Sequence, residues 1–215
     1  MSSSPDLSVR SRVGLSRAAV VDAALGVVSA EGLRALSLRR LASELGVTAP
    51  ALYAHVRDKS DLLAAVAETG FRELLDRYAA ITTDDPLERV RQQCSIYIDL
   101  AVSNPGLFQV MLTFRPGALA KPGASSELAS ATEAFEQPMR SIAEAIERGA
   151  IHPGHDPFVA GLTVWTATHG VAQVLSLGVI PSGAPRRALE ESVIGVMLRG
   201  LGLPPAADAV SPAVR

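Results

Sequence analysis

The residues from Ser37 to His55 combine a helix-capping serine, a central glycine and small side chains in a spacing that suits contact with a nucleic acid. Ser37 is a good N-cap for a short helix that ends near Gly46, and Gly46 can adopt the left-handed conformation of a tight turn. A second short helix follows from about Thr48, which we expect to cap it. Two short helices joined in this way predict a helix-turn-helix, whose second helix enters the major groove of DNA.

Side chains around this hairpin have the chemistry that binds DNA, since phosphates are bound by cations, hydroxyls and helix N-termini. The candidate DNA-binding residues are Ser37, Arg39, Arg40, Thr48, Ala49, Pro50, Ala51, Tyr53, His55 and Lys59. Most exposed positions of the second helix are apolar, so thymine methyl contacts and DNA shape are expected to carry much of the specificity. An ordinary helical hairpin with solvated arginines is the alternative that the local pattern leaves open.

The four histidines and the single cysteine give little support to catalysis or metal binding. His55, His152, His155 and His169 are separated by helix breaks or long distances, and no HExxH, CxxC, Ser-His-Asp order or glycine-rich phosphate loop occurs. His152 and His155 could begin a metal site, but no further ligand is identifiable. Cys94 cannot form an intramolecular disulfide, which fits a reducing cytosol. We therefore expect no catalytic residue, no metal and no cofactor.

The elements that must position these residues are all predicted to be helices. Apolar residues recur at spacings of three and four, with Gly and Pro between the periodic segments. The pattern predicts an all-α protein of about nine helices. They span about 16–30, 37–46, 48–56, 61–80, 85–103, 107–113, 126–149, 157–177 and 185–201. Two Pro-Gly pairs and several small residues between 115 and 126 predict a mobile loop.

Charge is unevenly distributed along the chain. The formal net charge of -2 argues against a dedicated nucleic-acid coat or a polybasic membrane binder. Residues 1–60, however, hold eight basic and five acidic residues, a net +3. No charged residue occurs from 157 to 185, which is long enough to span a bilayer, although His169, Gln173 and several threonines and glycines favour a helix buried in a soluble protein. Residues 1–14 lack the apolar run of a secretory signal, so we expect a cytoplasmic protein with no membrane partner.

A long signature runs from about Gly14 to Leu75. Its parts are an Ala-rich first helix, then Gly32-Leu-Arg-Ala-Leu-Ser-Leu-Arg-Arg-Leu-Ala, Leu45-Gly-Val-Thr-Ala-Pro-Ala-Leu-Tyr-Ala-His-Val and Lys59-Ser-Asp-Leu-Leu. In this segment the chain resembles the TetR family of transcriptional regulators. The resemblance implies an obligate homodimer whose two recognition helices bind a palindromic double-stranded DNA operator, usually as a repressor that a small ligand releases.

The resemblance also implies roles for single residues. It assigns phosphate contacts to Ser37, Tyr53 and Lys59, and places Thr48 at either a phosphate or a base edge. His55, at the end of the recognition helix, would contact the DNA backbone or a base. The family's aromatic residue after this histidine is replaced by Val56, which is expected to change core packing more than chemistry.

The C-terminal part contains Trp165, His169 and Gly170, an order that resembles a C-terminal domain type in this family marked by that triplet. The candidate ligand-binding residues are Tyr97, Phe108, Met111, Phe114, Phe135, Met139, Trp165, His169 and Gln173. Ligand pockets are mostly apolar with a few polar groups, and charges are few in this region, so we expect a large, neutral, lipophilic small-molecule effector. Ordinary core packing remains the alternative for each of these residues.

The last two helices are expected to form the dimer interface. In this family they pack against their partner copies as a four-helix bundle, and a helix covered by its own core and by a second subunit loses its polar face. The candidate interface residues are Val193, Gly195, Val196, Met197 and Gly200.

These observations together predict four segments. They are a flexible N-terminal arm at 1–14, a helix-turn-helix DNA-binding domain at 15–60, a helical ligand-binding and dimerisation domain at 61–203, and a disordered tail at 204–215. Arg10, Arg12 and Arg17 precede or open the first helix, and they form either an arm that reaches the minor groove or solvated tail charge. A helical ligand-binding or scaffolding dimer that does not bind DNA, and an activator in place of a repressor, remain alternatives.

Overall fold

The computed structural model describes residues 15–114, 128–181 and 183–203, and every regular element in these ranges is a helix. Nine α-helices and one 3-10 turn (Leu33–Ala35) occur there. In chain order the α-helices are α1 (Arg17–Glu31), α2 (Leu38–Glu44), α3 (Ala49–Tyr53), α4 (Lys59–Ala79), α5 (Pro86–Ser103), α6 (Pro105–Met111), α7 (Ala129–Glu147), α8 (Pro157–Ser176) and α9 (Ala184–Leu201). The predicted all-α class is confirmed. The predicted arm at 1–14, loop at 115–126 and tail at 204–215 lie outside the described residues.

Side chains that accept hydrogen bonds from free backbone N–H groups set the starts of several helices. Ser16 caps α1 and Ser37 caps α2, as predicted. The structure starts α4 at Lys59 rather than at the predicted Asp61. The reason is that Asp58 is the N-cap and accepts a hydrogen bond from the backbone N–H of Asp61 over 2.8 Å.

Other predicted helix boundaries also differ from the structure. α3 is shorter than the predicted 48–56, because the chain leaves the helix after Tyr53. α6 begins at Pro105, two residues before its predicted start. The segment Asn104-Pro105-Gly106, which resembles a helix break, is a helix start: Asn104 accepts from the backbone N–H of Leu107 over 3.0 Å, and proline suits the first helical position.

Two clusters of buried side chains hold the helices together. The first joins α1 to α4 with α6 and part of α7 through residues such as Val20, Leu52 and Leu74. The second joins α5, α7, α8 and α9, and Tyr97 packs against both clusters. α4 runs without interruption across the predicted boundary between residues 60 and 61. The division into domains at 15–60 and 61–203 stays a prediction.

α6 connects the N-terminal helices to the rest of the chain through its contact with the end of α1. A Cβ atom built on Gly106 would lie 2.0 Å from the backbone oxygen of Val28, so only glycine allows the two backbones to approach this closely. Ser29 donates a hydrogen bond to the side-chain oxygen of Asn104 over 3.1 Å. The start of α6 is therefore fixed against α1 by both packing and a polar contact.

α8 is the one helix within the described ranges that is long and apolar enough to cross a membrane by length and composition. It packs against α5, α7 and α9, and its residues Ala160, Val164 and Ala172 belong to the second core cluster. The core helix of a soluble protein passes the same test of length and composition. Packing on three sides therefore accounts for much of its apolar character.

We predict that Gly106→Ala lowers the free energy of unfolding by about 1–3 kcal/mol, the usual cost of overpacking, because the new methyl group meets a backbone oxygen that cannot rotate away. The control is Gly26→Ala in α1, where the new Cβ meets nothing within 4 Å and the substitution should raise stability by roughly 0.5–1 kcal/mol. Urea denaturation at one protein concentration measures both. A Gly106→Ala protein as stable as the wild type would contradict the close contact.

Candidate nucleic-acid interface and ligand cavity

The turn between α2 and α3 fixes the orientation of the second helix. Gly46 has a φ of +65°, the left-handed conformation that the sequence predicts. The backbone N–H of Val47 donates to the carbonyl of Ala42 over 2.9 Å, and Ala42 and Leu52 are both buried. α3 is thus held against the N-terminal core by its inner side chain, and its other face is left to solvent.

The outer face of α3 is exposed and mostly apolar. The exposed residues are Thr48, Ala49, Pro50, Ala51, Tyr53 and Ala54, and His55 is half-buried. Thr48 occupies the N-cap position, but its side chain makes no capping hydrogen bond, so the predicted cap is wrong. The tyrosine side chain is 53% exposed although tyrosine is usually well covered, and its hydroxyl is presented beside a row of methyl groups.

Lys59 connects the start of α4 to the start of α2. Its ammonium group donates to the carbonyl oxygen of Leu36 over 2.7 Å, directly before Ser37. Lys59 and Arg39 are exposed, and neither forms an ion pair with any residue in the described ranges. Two cations whose charges are not neutralised therefore lie near the hydroxyl of Ser37, an arrangement that suits a phosphate.

Arg40 differs from these two cations because its charge is already paired. Its guanidinium donates to Glu31 over 2.8 Å and to Glu44 over 2.9 Å. The hydrogen bond from Arg40 lowers the pKa of Glu31. The predicted phosphate contact of Arg40 has to compete with two carboxylates, which counts against this assignment.

Arg17 also has a structural partner. Its guanidinium donates to both carboxylate oxygens of Asp61, over 2.9 and 3.0 Å, and to the backbone carbonyl of His55 over 2.7 Å. The hydrogen bonds from Arg17 hold the pKa of Asp61 well below its usual range. Arg17 therefore connects His55, which lies just after α3, to α1 and α4, and does not extend a basic arm. Arg10 and Arg12 lie outside the described residues.

A cavity of about 90 Å³ lies between α4, α5, α6, α7 and α8. Seven of the nine candidate ligand-binding residues line it: Tyr97, Phe108, Met111, Phe114, Phe135, Met139 and Trp165. The volume is smaller than the roughly 150 Å³ that holds a benzene in a protein core. A large effector, as the sequence predicts, would require movement of wall side chains.

His169 and Gln173 do not line this cavity. The ring of His169 stacks on Trp165 with a centroid separation of 5.2 Å, and its Nδ1 atom pairs with the hydroxyl of Tyr97 over 2.9 Å. Burial lowers the pKa of His169, because the charged form of the ring loses contact with water. His169 thus contacts the wall residues Trp165 and Tyr97 without lining the cavity itself.

The part of the wall that α4 and Gln93 of α5 contribute was not predicted from the sequence. Phe71, Leu74 and Tyr78 are indistinguishable by spacing from ordinary core residues of α4. Gln93, which is 4% exposed, lies between the buried residues Val90 and Cys94 on the apolar face of α5. A polar residue within an apolar stripe is a signal that the sequence offered.

Among the described residues, no charged side chain lines the cavity. Its titratable groups are Tyr78, Cys94 and Tyr97, and burial raises the pKa of each, that of the Cys94 thiol to about 11. All three are uncharged near neutral pH. An ionic ligand would find no counter-ion here.

His152 and His155 serve the packing of the chain's C-terminal helix. The backbone N–H of His152 donates to the carbonyl of Leu201, and the ring of His155 pairs with the carbonyl of Leu203 over 2.9 Å. No group of three or more His, Cys, Asp or Glu that could hold a metal occurs within residues 15–114, 128–181 and 183–203.

α8 and α9 each expose an uncharged stripe of small or apolar residues. On α8 the stripe consists of Val159, Thr163, Thr166, Gly170, Val174 and Leu177, and on α9 it consists of Ala188, Ser192, Val196 and Gly200. Of the predicted interface residues, Val196 and Gly200 face outwards. Val193 and Met197 are half-buried and pack against the chain's own core, and Gly195 is buried.

Comparisons with known sequences agree with this arrangement in both halves of the chain. The family described as bacterial regulatory proteins of the tetR family matches residues 20–66, and the tetracyclin repressor-like C-terminal domain matches residues 90–197. The uncharacterised HTH-type transcriptional regulator YobS of Bacillus subtilis is 30% identical over 47% of this chain and 53% of its own length. The alignment spans about half of that relative.

Two longer similarities extend the comparison. The uncharacterised HTH-type transcriptional regulator Rv0681 of Mycobacterium tuberculosis is 28% identical over 80% of this chain and 76% of its own length. A solved structure of a protein of unknown function from Rhodococcus sp. RHA1 is 27% identical, with a TM-score of 0.74 over 91% of this chain and 100% of that one.

The match to the C-terminal model alone spans half of the chain, and the N-terminal match covers the helix-turn-helix hairpin that α2 and α3 form. The chain belongs to the TetR family of bacterial regulatory proteins, whose members are DNA-binding transcriptional regulators and not enzymes.

Proposed function

We propose that the chain is a homodimeric repressor that binds a palindromic operator through α3 and is released when a neutral, apolar effector occupies the cavity. The observation that carries this proposal is the position of α6. Its first turn lies against α1 at Val28, and its residues Phe108 and Met111 line the cavity. A ligand that moves these two side chains changes the contact that orients the N-terminal helices.

At the DNA, the exposed methyl groups of Ala49, Ala51 and Ala54 would contact thymine methyl groups in the major groove. The hydroxyls of Ser37 and Tyr53 and the cations Arg39 and Lys59 would contact phosphates. Few hydrogen bonds to base edges are available from this helix. Sequence-dependent DNA shape would therefore contribute to operator choice.

The proposal predicts that the purified full-length protein enriches palindromic fragments from the genomic DNA of its source organism. Sequencing the bound fragments gives the operator, and a reporter gene behind that operator gives the sign of regulation. Repression that a Tyr53→Ala variant loses is the expected result. If the wild type enriches no fragment more strongly than the Tyr53→Ala variant does, specific DNA binding is contradicted. If the reporter gene is expressed more strongly in the presence of the protein, repression is contradicted.

Lys59→Ala should weaken binding to the selected operator and to unrelated DNA by similar factors, because a phosphate contact carries no sequence information. Each phosphate contact contributes about 0.9 to the slope of log affinity against log salt. A dimer loses two contacts, so the slope should become shallower by about 2. Fluorescence anisotropy at several salt concentrations measures it.

The control for this variant is Arg72→Ala, which removes the same charge from an exposed position of α4 where Arg72 pairs with Glu68. This substitution should leave the salt slope unchanged. Equal slopes for Lys59→Ala and the wild type would contradict the phosphate contact.

The outward stripes of α8 and α9 support the proposed homodimer. Helices with small residues can approach closely, and a Cβ built on Gly170 or Gly200 would meet no other described part of the chain within 4 Å, apart from its own helix backbone and its sequence neighbours. Apolar side chains extend beyond these glycines, with Leu177 71% exposed and Val196 60% exposed. A symmetric dimer places the same stripes of both subunits against each other.

Val196→Glu should weaken dimerisation at least tenfold, because a twofold interface would bury the new carboxylate twice without a partner. The control is Ala79→Glu, at an exposed position at the end of α4 and outside both stripes. Analytical ultracentrifugation over a concentration series measures the dissociation constant. A Val196→Glu protein that dimerises as tightly as the control would rule out this interface.

A further inference from the structure

The side chain of Gln93 lies in the cavity wall without a hydrogen-bond partner. Its carbonyl oxygen Oε1 is buried and unpaired, and no hydrogen bond joins its amide to any residue in the described part of the chain. Buried amides are almost always paired, because leaving one unpaired costs free energy. A buried amide at the wall of a cavity is therefore placed to pair with a molecule inside it.

Thr168, Cys94 and Tyr97 provide polar groups of the wall that are already engaged, whereas no hydrogen bond joins the hydroxyl of Tyr78 to a described residue. Thr168 donates to the backbone oxygen of Val164 over 2.8 Å and approaches the sulfur of Cys94 at 3.2 Å. The hydroxyl of Tyr97 pairs with His169. Gln93 thus stands apart from these three as a group whose hydrogen-bonding capacity remains unused.

The rest of the wall limits what kind of molecule can reach Gln93. Aromatic and aliphatic side chains make up most of it, and no Asp, Glu, Lys or Arg is found among its lining residues in the described part of the chain. Two methionines form movable parts of the wall, since Met111 packs on Gly70 and Met139 packs on Gly161. Methionine adapts its shape readily, so the cavity can enlarge around a ring-sized guest.

We propose that the cavity selects neutral, apolar compounds that carry a hydroxyl group, and that Gln93 binds this hydroxyl. A hydroxyl both donates and accepts, so it can pair with either end of the amide. Carboxylates and ammonium ions are disfavoured because the described residues of the wall offer no opposite charge. This inference rests on the proposed function and names the class of its effector.

A pair of probes of equal size tests the role of the amide. 4-Methylphenol and 1,4-dimethylbenzene differ only by a hydroxyl in place of a methyl group. The full-length protein should bind 4-methylphenol about five- to tenfold more tightly, the usual effect of one neutral hydrogen bond. Isothermal titration calorimetry gives the affinities, and the fluorescence of Trp165, the single tryptophan of the chain, reports binding at the wall.

Gln93→Met keeps the length of the side chain and removes its amide, so it should abolish the preference while retaining binding of 1,4-dimethylbenzene. Gln92→Met is the matched control, because the neighbouring Gln92 pairs with Glu88 and does not line the cavity. The control should keep the preference. Gln93→Leu repeats the test if the methionine variant folds poorly.

A second readout needs no ligand. Because the unpaired amide is a cost in the empty protein, Gln93→Met should raise the urea midpoint of unfolding, whereas Gln92→Met should not. The inference would be overturned by a lower urea midpoint for Gln93→Met, or by a preference for 4-methylphenol that survives in this variant. It would also be overturned if the wild type bound the two probes equally, or bound neither at millimolar concentration.

Operator binding without any probe is measured separately. Its failure would contradict the proposed repressor and leave the probe ratio intact, so the two proposals can fail independently. 4-Methylbenzoate serves as the charged probe, and binding as tight as that of 4-methylphenol would also contradict the selection of neutral compounds.

Discussion

The contact between the start of α6 and the end of α1 constrains the rest of the structure. Gly106 brings the α6 backbone within van der Waals distance of the carbonyl of Val28, and the hydrogen bond between Ser29 and Asn104 fixes the same joint. Backbones packed this tightly cannot slide independently. A displacement of α6 has to move α1. The first residue of α1, Arg17, donates a hydrogen bond to the backbone carbonyl of His55, just after α3. One short helix thus mechanically connects the cavity wall to the exposed face of α3.

The pairing of charges explains how an acidic chain can present a cationic surface. The net +3 of residues 1–60 already includes Glu31 and Glu44, which pair with Arg40, but it leaves out Asp61, which pairs with Arg17 and therefore lowers the charge available to DNA. Lys59 and Arg39 remain unpaired among the described residues. A surface with few free cations binds non-specific DNA weakly, so the positions of these two cations matter more than the total charge. Because part of the positive charge is neutralised, binding is favoured at DNA sites whose shape and thymine methyl groups also fit the protein.

Local chemistry made several features predictable from the sequence, while features that depend on contacts between distant segments were not. Ser16 and Ser37 were found as caps because a cap depends on the residues of one turn. The pairing of Arg40 with Glu31 and the packing of Gly195 inside the chain depend on how helices meet, which spacing does not reveal. Most of the aromatic wall was predictable because its residues are large and rare in this chain. The position of Gln93 in the wall was not predictable, since helical periodicity identifies the apolar residues of a buried face and not a polar residue among them.

Most of the uncharged stretch from 157 to 185 belongs to α8, and the two faces of this helix lack charge for different reasons. The inner residues of α8 fill the second core cluster, and its outward stripe from Val159 to Leu177 remains exposed without a charge. This stripe contains two threonines and Gly170, which are residue types that suit close packing against another helix. Hydroxyls and a glycine allow close approach of another helix and remain tolerable in water while the chain is single. Exposure of such a stripe therefore suits the association with a second copy that we propose.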